Sequence, residues 1–352
     1  MLGMTYEHLA VAGVGLLGGL LLGLAARLGR FCSLGAIEDL LYGGSSVRIR
    51  HWGVAIGIAV MGSFSLIAAG WLDVSHTPYL GARWQPLASI CGGALFGYGM
   101  ALAGSCGYGA LARLGGGDLR SFVIVLVIGV TAYTVLSGPL APLRDALFPQ
   151  VASTNLVPDG IAHQIGSFTG IPVSWIGIAC GAVLLVISLA ARPVWNHPEH
   201  IFWAVMVGIA VISGWAGTAW IAATGFEALP VASHSFAAPV GETILWFMSG
   251  SARPLSFAVG SVAGVWTGAF LGSLYKGLFR WEACEDPREL RRQILGAILM
   301  GVGAVIAMGC TVGQGLSAFS LLAWSAPVTS AAIFGGAALG LRQLIMGFQP
   351  AE

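Results

Sequence analysis

The chain has 352 residues, of which 57% are hydrophobic and only 9% charged, with a formal net charge of +1. A soluble domain carries about 25% charged residues, so there is too little charge here to coat a water-facing surface. The composition excludes a soluble globular protein, and the near-neutral balance excludes nucleic acid as a partner; a polytopic all-α membrane protein is expected.

A membrane span needs about 20 mostly apolar residues. Nine such stretches are predicted, near 11–30, 52–72, 87–105, 120–138, 173–191, 202–223, 255–275, 291–309 and 327–346. The first is read as a retained helix and not a cleaved leader. Glu7 and His8 precede it in place of a basic region, and Arg27 and Arg30 follow it. Fifty-three glycines suit close helix packing, and Gly260, Gly264, Gly268 and Gly272 form the richest small-residue stripe.

Two linkers, 31–51 and 224–254, hold apolar stretches near 34–42 and 239–249 that are too short to cross. They are expected to be short helices that dip in and return. Residues 139–172, punctuated by Pro139, Pro142, Pro149, Pro158 and Pro172, read as a polar external loop. Residues 281–292 read as a solvated turn running into a helix start. Nine spans place thirteen of the sixteen Lys and Arg residues on one side and only Arg83, Arg144 and Arg253 on the other. The positive-inside rule then puts the amino terminus outside and the carboxyl terminus in the cytoplasm.

Two segments repeat. Gly97-Tyr-Gly99-Met-Ala-Leu-Ala103-Gly-Ser-Cys106-Gly-Tyr-Gly109 matches Gly301-Val-Gly303-Ala-Val-Ile-Ala307-Met-Gly-Cys310-Thr-Val-Gly313 at a constant offset of 204. The same offset aligns Glu38 with Glu242, Leu41 with Leu245 and Tyr42 with Trp246. The expected organisation is one integral membrane domain, 1–352, with repeat halves near 1–138 and 201–346 and a linking loop and helix at 139–192. Equivalent spans are five apart, an odd number, so the halves should face opposite ways, as in transporters and channels built from inverted repeats.

Three thiols carry the chemistry. Cys32, Cys106 and Cys310 each follow a helix and precede small or hydroxyl residues, where backbone can unwind. Unwound backbone at membrane depth lines a cavity or is buried in protein. The helix beginning after each break offers free N–H groups and a positive dipole end, which attract an anion. A neutral thiol adds a weak, polarizable donor suited to a large sulfur-bearing anion. The alternative is packing, since a buried cysteine is usually a small hydrophobe. That reading is taken for Cys91 and Cys180, Cys284 is read as a loop thiol without a role, and Cys32 is open to both readings. Gly109, Thr311, Gly313 and Gln314 are supporting candidates beside the cysteines. Arg30 and Arg113 flank the breaks and either draw an anion inward or simply obey the positive-inside rule. Glu38 and Glu242 are either functional carboxylates at membrane depth or, the favoured reading, residues at headgroup level that cap short helices. His234 aligns with Arg30 at the same offset.

Three motifs, in order, resemble the YeeE/YedE family of sulfur-compound transporters, which includes thiosulfate uptake proteins. They are Arg30-Phe-Cys32-Ser-Leu-Gly35-Ala-Ile-Glu38-Asp-Leu-Leu, Ala103-Gly-Ser-Cys106-Gly-Tyr-Gly109-Ala-Leu-Ala-Arg113-Leu and Met308-Gly-Cys310-Thr-Val-Gly313-Gln-Gly315-Leu-Ser. The resemblance implies nine spanning helices plus short inserted helices in an hourglass. It implies that thiosulfate passes along cysteines through S–H···S contacts, and those cysteines map onto Cys32, Cys106 and Cys310. The family's middle motif often continues after cysteine as Thr-Ser-Gly-His-Gly, where this chain has Gly107-Tyr108-Gly109-Ala110-Leu111.

The expected function is therefore uptake of thiosulfate, or a closely related sulfur anion, across a bacterial inner membrane for sulfur assimilation. No cofactor or metal is expected, and a cytoplasmic sulfur-carrier or rhodanese-type partner is implied by the resemblance alone. The competing readings are a membrane-embedded thiol sulfurtransferase, a carrier of another sulfur or selenium species, and an anion channel in which the cysteines are filler.

Overall fold

A computed structural model describes residues 6–151, 157–283 and 286–347. It is all-α. In chain order the helices are α1 (Tyr6–Leu28), α2 (Ser33–Leu41), α3 (Val47–Ala68), α4 (Pro86–Ala103), α5 (Gly107–Gly115), α6 (Leu119–Leu136), α7 (Ala141–Leu147), α8 (Ile161–Thr169) and α9 (Val173–Leu189). They continue as α10 (Pro198–Thr224), α11 (Ala238–Ser249), α12 (Phe257–Tyr275), α13 (Pro287–Ile306) and α14 (Ser325–Met346). A helical segment at 311–320, with a π-helical core at Gly313–Ala318, lies between α13 and α14.

Every predicted span is a helix within a few residues. Seven are long and apolar enough to cross a membrane: α1, α3, α4, α6, α10, α12 and α14. The other two fall outside that standard for separate reasons. α9 is uniformly apolar but has only 17 residues. α13 has 20 residues, but Arg288, Glu289, Arg291 and Arg292 sit in its first six. Its start is fixed by Pro287 at the first turn and by the Asp286 carboxylate, which accepts from the Arg288 N–H. α2 and α11 occupy the two stretches expected to hold short helices.

One expectation is corrected. The 139–172 stretch is not simply a solvated loop. It holds α7 and α8, buries Ala162 and His163, and docks on the 322–324 turn. There Ile161 N–H donates to the Leu322 carbonyl and Trp324 N–H to that of Asp159. Cys284 lies outside the described residues.

A shift of 204 residues carries α1 to α6, in order, onto α10, α11, α12, α13, the 311–320 helix and α14. The packing obeys the same shift. α1 packs on α12 as α10 packs on α3, and α4 packs on α14 as α13 packs on α6. The pairs α1–α10 and α4–α13 map onto themselves.

At the α4–α13 crossing the symmetry reaches single residues. A Cβ on Gly92 would meet the Gly303 carbonyl at 2.8 Å, and one on Gly99 would meet the Gly296 carbonyl at 2.5 Å. The reciprocal contacts are 2.6 and 2.5 Å, closer than any side chain tolerates. The glycine stripe of α12 behaves likewise: Gly260, Gly264 and Gly268 press on the carbonyls of Ala12, Leu16 and Leu20 in α1, while Gly272 faces the Arg27 side chain. In lipid the tails are as apolar as the helices, so association rests on this backbone-to-backbone contact and not on hydrophobic burial. The largest core cluster runs through the middle of the molecule, where Cys106, Tyr108, Trp215, Phe236, Cys310 and Leu316 are all buried.

Candidate functional site

Four chain breaks converge in that core. Three carry the predicted cysteines and share one backbone design. Two residues before each cysteine the chain turns left-handed: Arg30 at φ 51°, Gly104 at φ 72° and Met308 at φ 56°. Arginine and methionine rarely adopt this conformation, which costs of order 1–3 kcal/mol and is tolerated where surrounding packing enforces it. After the turn Cys32 (φ −143°, ψ 129°) and Cys106 (φ −81°, ψ 172°) are extended, and each is the N-cap of the short helix that follows.

The thiols sit against the free amides of those helices. Cys106 Sγ accepts from Gly109 N–H at 3.4 Å, and Cys310 Sγ accepts from Gly313 N–H at 3.5 Å, the same contact in both halves. At Cys32 the Leu34 and Gly35 amides face the thiol without closing a full hydrogen bond.

The fourth break precedes α11, where Phe236 stands at the position equivalent to Cys32. Phe236 N–H donates to Cys310 Sγ at 3.3 Å, and Ser235 Oγ lies 3.7 Å from the same sulfur. Three of the breaks, those of Cys106, Phe236 and Cys310, touch one another. Cys106 lies within electrostatic range of both Cys32 and Cys310. A Cβ on Gly107 would meet the Phe236 carbonyl at 3.0 Å, and the Tyr108 and Phe236 rings pack 5.5 Å apart. Tyr108 Oη anchors the arrangement by donating to the Leu22 carbonyl at 2.6 Å. Cys106 and Cys310 are buried and Cys32 is half-buried, while Cys91 is exposed and Cys180 half-buried on separate helices. Cys91, Cys180 and the three central cysteines are all free thiols.

Gln314 is buried and holds the Met308 turn. Its Nε2 donates to the Ala307 carbonyl at 2.8 Å and the Met308 carbonyl at 3.3 Å, and its Oε1 has no partner. Thr311 is buried with an unpartnered hydroxyl. Gly313 has no room for a side chain, since a Cβ would lie 2.7 Å from Ser235 Oγ and 3.2 Å from Tyr79 Oη. Arg113 is exposed and reaches back over Gly104, its guanidinium 4.0 Å from where a Cβ would sit. Arg30 is exposed at the left-handed turn.

The two glutamates do not join this centre. Glu38 is exposed on α2, within electrostatic range of Arg113 and Arg48. Glu242 is half-buried and accepts from Ser256 Oγ at 2.5 Å; Ser256 is the N-cap of α12. His234 is not a partner for a thiol. Its Nδ1 is 2.6 Å from Ser261 Oγ, its ring stacks near Phe236, and its carbonyl accepts from Ser317 Oγ.

Sequence reasoning missed Tyr79 and Arg48. Tyr79 comes from the α3–α4 loop, where the same offset falls on Ala283, and it sits near Cys310 and against Trp215. Arg48 covers Gly35, one turn after Cys32, and pairs with Asp39 at 3.1 Å. Its position in a run of basic residues, Arg48 and Arg50, hid it behind the positive-inside rule.

Two cavities approach the Cys310 break from different directions. A small one of about 30 Å³, room for roughly one water, is bordered by Tyr79, Arg83, Gln85, Met308, Gln314 and Ser325. A larger one of about 420 Å³ lies among α2, α3, α9, α14 and the 311–320 helix.

Residues 28–339 match the family described as Sulphur transport. The chain is 26% identical over 334 residues to the thiosulfate transporter TsuA of Escherichia coli K12, covering 88% of each protein. It is 24% identical over 330 residues to the thiosulfate transporter TsuA of Spirochaeta thermophila, covering 90% of this chain and 94% of that one. With the match running from the first cysteine break into α14, this chain is a member of the Sulphur transport family.

Proposed function

We propose that the protein carries thiosulfate across a bacterial inner membrane along Cys32, Cys106 and Cys310. The observation that carries this reading is the convergence of three thiols, each set at a helix start, on one buried centre. Amide N–H groups and the positive ends of three short helices favour an anion without adding a formal charge. Uncharged thiols do not repel it, and their weak donors suit the soft terminal sulfur better than a hard sulfate oxygen. Several weak stations in series favour passage over capture.

In this reading Gly109 and Gly313 present their amides, Gln314 and Thr311 shape the Cys310 break, and Arg30 and Arg113 raise the local anion concentration. Glu38 and Glu242 serve the short helices that carry them. The amino terminus lies outside and the carboxyl terminus in the cytoplasm, with inverted halves near 1–138 and 201–346 joined through 139–192. The sulfur delivered feeds assimilation, handed to a sulfur-carrier or rhodanese-type protein. The alternative of a sulfurtransferase is set aside because the family is one of transport.

The test is uptake of labelled thiosulfate by proteoliposomes, together with growth of a host whose only sulfur source is thiosulfate. Cys106→Ala and Cys310→Ala should each lower uptake at least about ten-fold, the loss expected when a contact to an anion is removed. Full uptake by both variants, with Cys32→Ala equally active, overturns the cysteine route.

A further inference from the structure

The small cavity of about 30 Å³ ends at the Cys310 break, with Tyr79, Met308 and Gln314 as its inner wall. Met308 is the left-handed turn before the cysteine, Gln314 N–H donates to the Cys310 carbonyl at 2.8 Å, and Tyr79 lies within electrostatic range of the thiol. The outer wall is Arg83, Phe148 and Gln150. Arg83 is exposed, and it is one of the three basic residues that the charge count assigns to the outside. The space admits roughly one water. A sulfur oxyanion is several times larger, so part of the wall must move before a solute can use it.

The two parts of the external stretch are held very differently. At 158–163 the chain is pinned. Asp159 Oδ2 accepts from the Trp84 N–H at 3.0 Å, Ile161 N–H donates to the Leu322 carbonyl at 2.8 Å, and Ala162 sits in a buried cluster with Val60, Phe64 and Leu322. Leu322 is itself left-handed at φ 50°, a conformation that persists only where its neighbours impose it. By contrast, α7 buries no residue. The stretch after it is tied to the α3–α4 loop by the Arg83 N–H, which donates to the Val151 carbonyl at 2.9 Å, and by Gln85 Nε2, which donates to the Pro149 carbonyl. Pro149, Gln150 and Val151 are exposed and Phe148 is half-buried. A segment with few buried contacts and exposed hydrogen bonds opens at low cost.

We propose that this cavity is the closed outer mouth of the route to Cys310, and that the segment from α7 to Val151 is the flap that closes it. Phe148 is the plug, and the Arg83 and Gln85 contacts are the latch. The pinned part at 158–163 stays on the 322–324 turn and keeps the cysteine break in place while the flap lifts. Lifting bares Arg83 to an arriving anion and widens the space in front of Met308 and Gln314. The assignment rests on the transport reading above, and it adds an entry gate that the three cysteines do not supply.

The test reads the reaction of Cys310 with an anionic, membrane-impermeant methanethiosulfonate reagent applied to the outer face of right-side-out vesicles, with the modified peptide identified by mass spectrometry. Phe148→Ala should speed that reaction at least about ten-fold, because burial of the ring is what holds the flap down. Gln85→Ala, which removes one hydrogen bond from the latch, should speed it about five-fold. Arg83→Cys with Val151→Cys, in a Cys91→Ala background, joins two backbones that are already hydrogen-bonded. Oxidation of that pair should slow the Cys310 reaction and thiosulfate uptake at least about ten-fold relative to the same protein reduced. Reduction, with the reductant removed before labelling, should restore both, and Arg83→Cys alone should not respond to oxidation.

A Cys310 rate that neither Phe148→Ala nor the disulfide changes overturns the flap even where wild-type uptake is normal. So does a Cys310 that reacts only with reagent given from the opposite face. The labelling rates need no transport, so a protein that shows the expected rates but takes up no thiosulfate overturns the transport reading and leaves the flap standing as the closure over Cys310.

Discussion

The Cys106 and Cys310 breaks begin alike and then part. Both turn left-handed two residues early, and both thiols accept the amide three residues on. After Cys106 the chain forms the ordinary α-helix α5, whereas after Cys310 it forms a π-helical segment. The difference follows from an exchange of large and bare positions. In α5 Leu111 is buried and Gly115 allows close contact, since a Cβ there would meet Ala269 Cβ and the Trp266 carbonyl at 2.8 Å. At the equivalent positions the second half has Gly315 and Phe319, and both line the large cavity. One half is sealed and the other hollow, on the same scaffold. The repeat preserves what holds the thiols, and it diverges where the larger cavity lies. π-Helical turns inside helices are frequent at functional sites, which agrees with the hollow half being the specialised one.

The comparison can be broken from the sealed side. Leu111→Ala should open a void beside α12 and cost about 2–5 kcal/mol, the largest effect expected here. It should appear as a lower melting temperature in detergent, and an unchanged melting temperature would mean α5 is not tightly packed after all. The thiols offer a sharper contrast. Cys310→Ala strands the amides of both Phe236 and Gly313, whereas Cys106→Ala strands only that of Gly109. Each lost acceptor costs about 1 kcal/mol or more when the donor stays buried. The Cys310 variant should therefore melt below the Cys106 variant, and the reverse order would contradict the hydrogen-bond assignment. The turns give the smallest effect, with opposite signs. Gly104→Ala should destabilise by about 1 kcal/mol and Met308→Gly should stabilise by a similar or smaller amount, because only glycine is at ease with positive φ. Equal shifts in both variants would show that the two turns are not equivalent.

Much of this was legible in the sequence. The spans, the two short helices α2 and α11, and the offset of 204 come from composition and from repeated letters, and the packing follows them. The π-helix was not legible, because i→i+5 bonding leaves no distinctive period in a six-residue run. Nor was the docking of 139–172 on the 322–324 turn, since a proline-rich polar stretch reads as loop whether or not it packs. Tyr79 and Arg48 were invisible for a shared reason. One stands where the repeat has Ala283 and the other in a basic run already explained by topology, so neither stood out until distances placed them near Gly313 and Gly35.

The mutual contacts of Gly92 with Gly303 and of Gly99 with Gly296 limit how the molecule can work. A crossing built from bare α-carbons resists separation, because prying the helices apart would forfeit the close van der Waals packing that holds helices together in lipid. The same restriction applies to α1 and α12, so the long helices form a rigid chassis and not two rocking bundles. Opening and closing must then be local, carried by the short helices and the turns that lead into them. Such a protein would gate by small rearrangements at its waist, and its outline should hardly change between closed and conducting states.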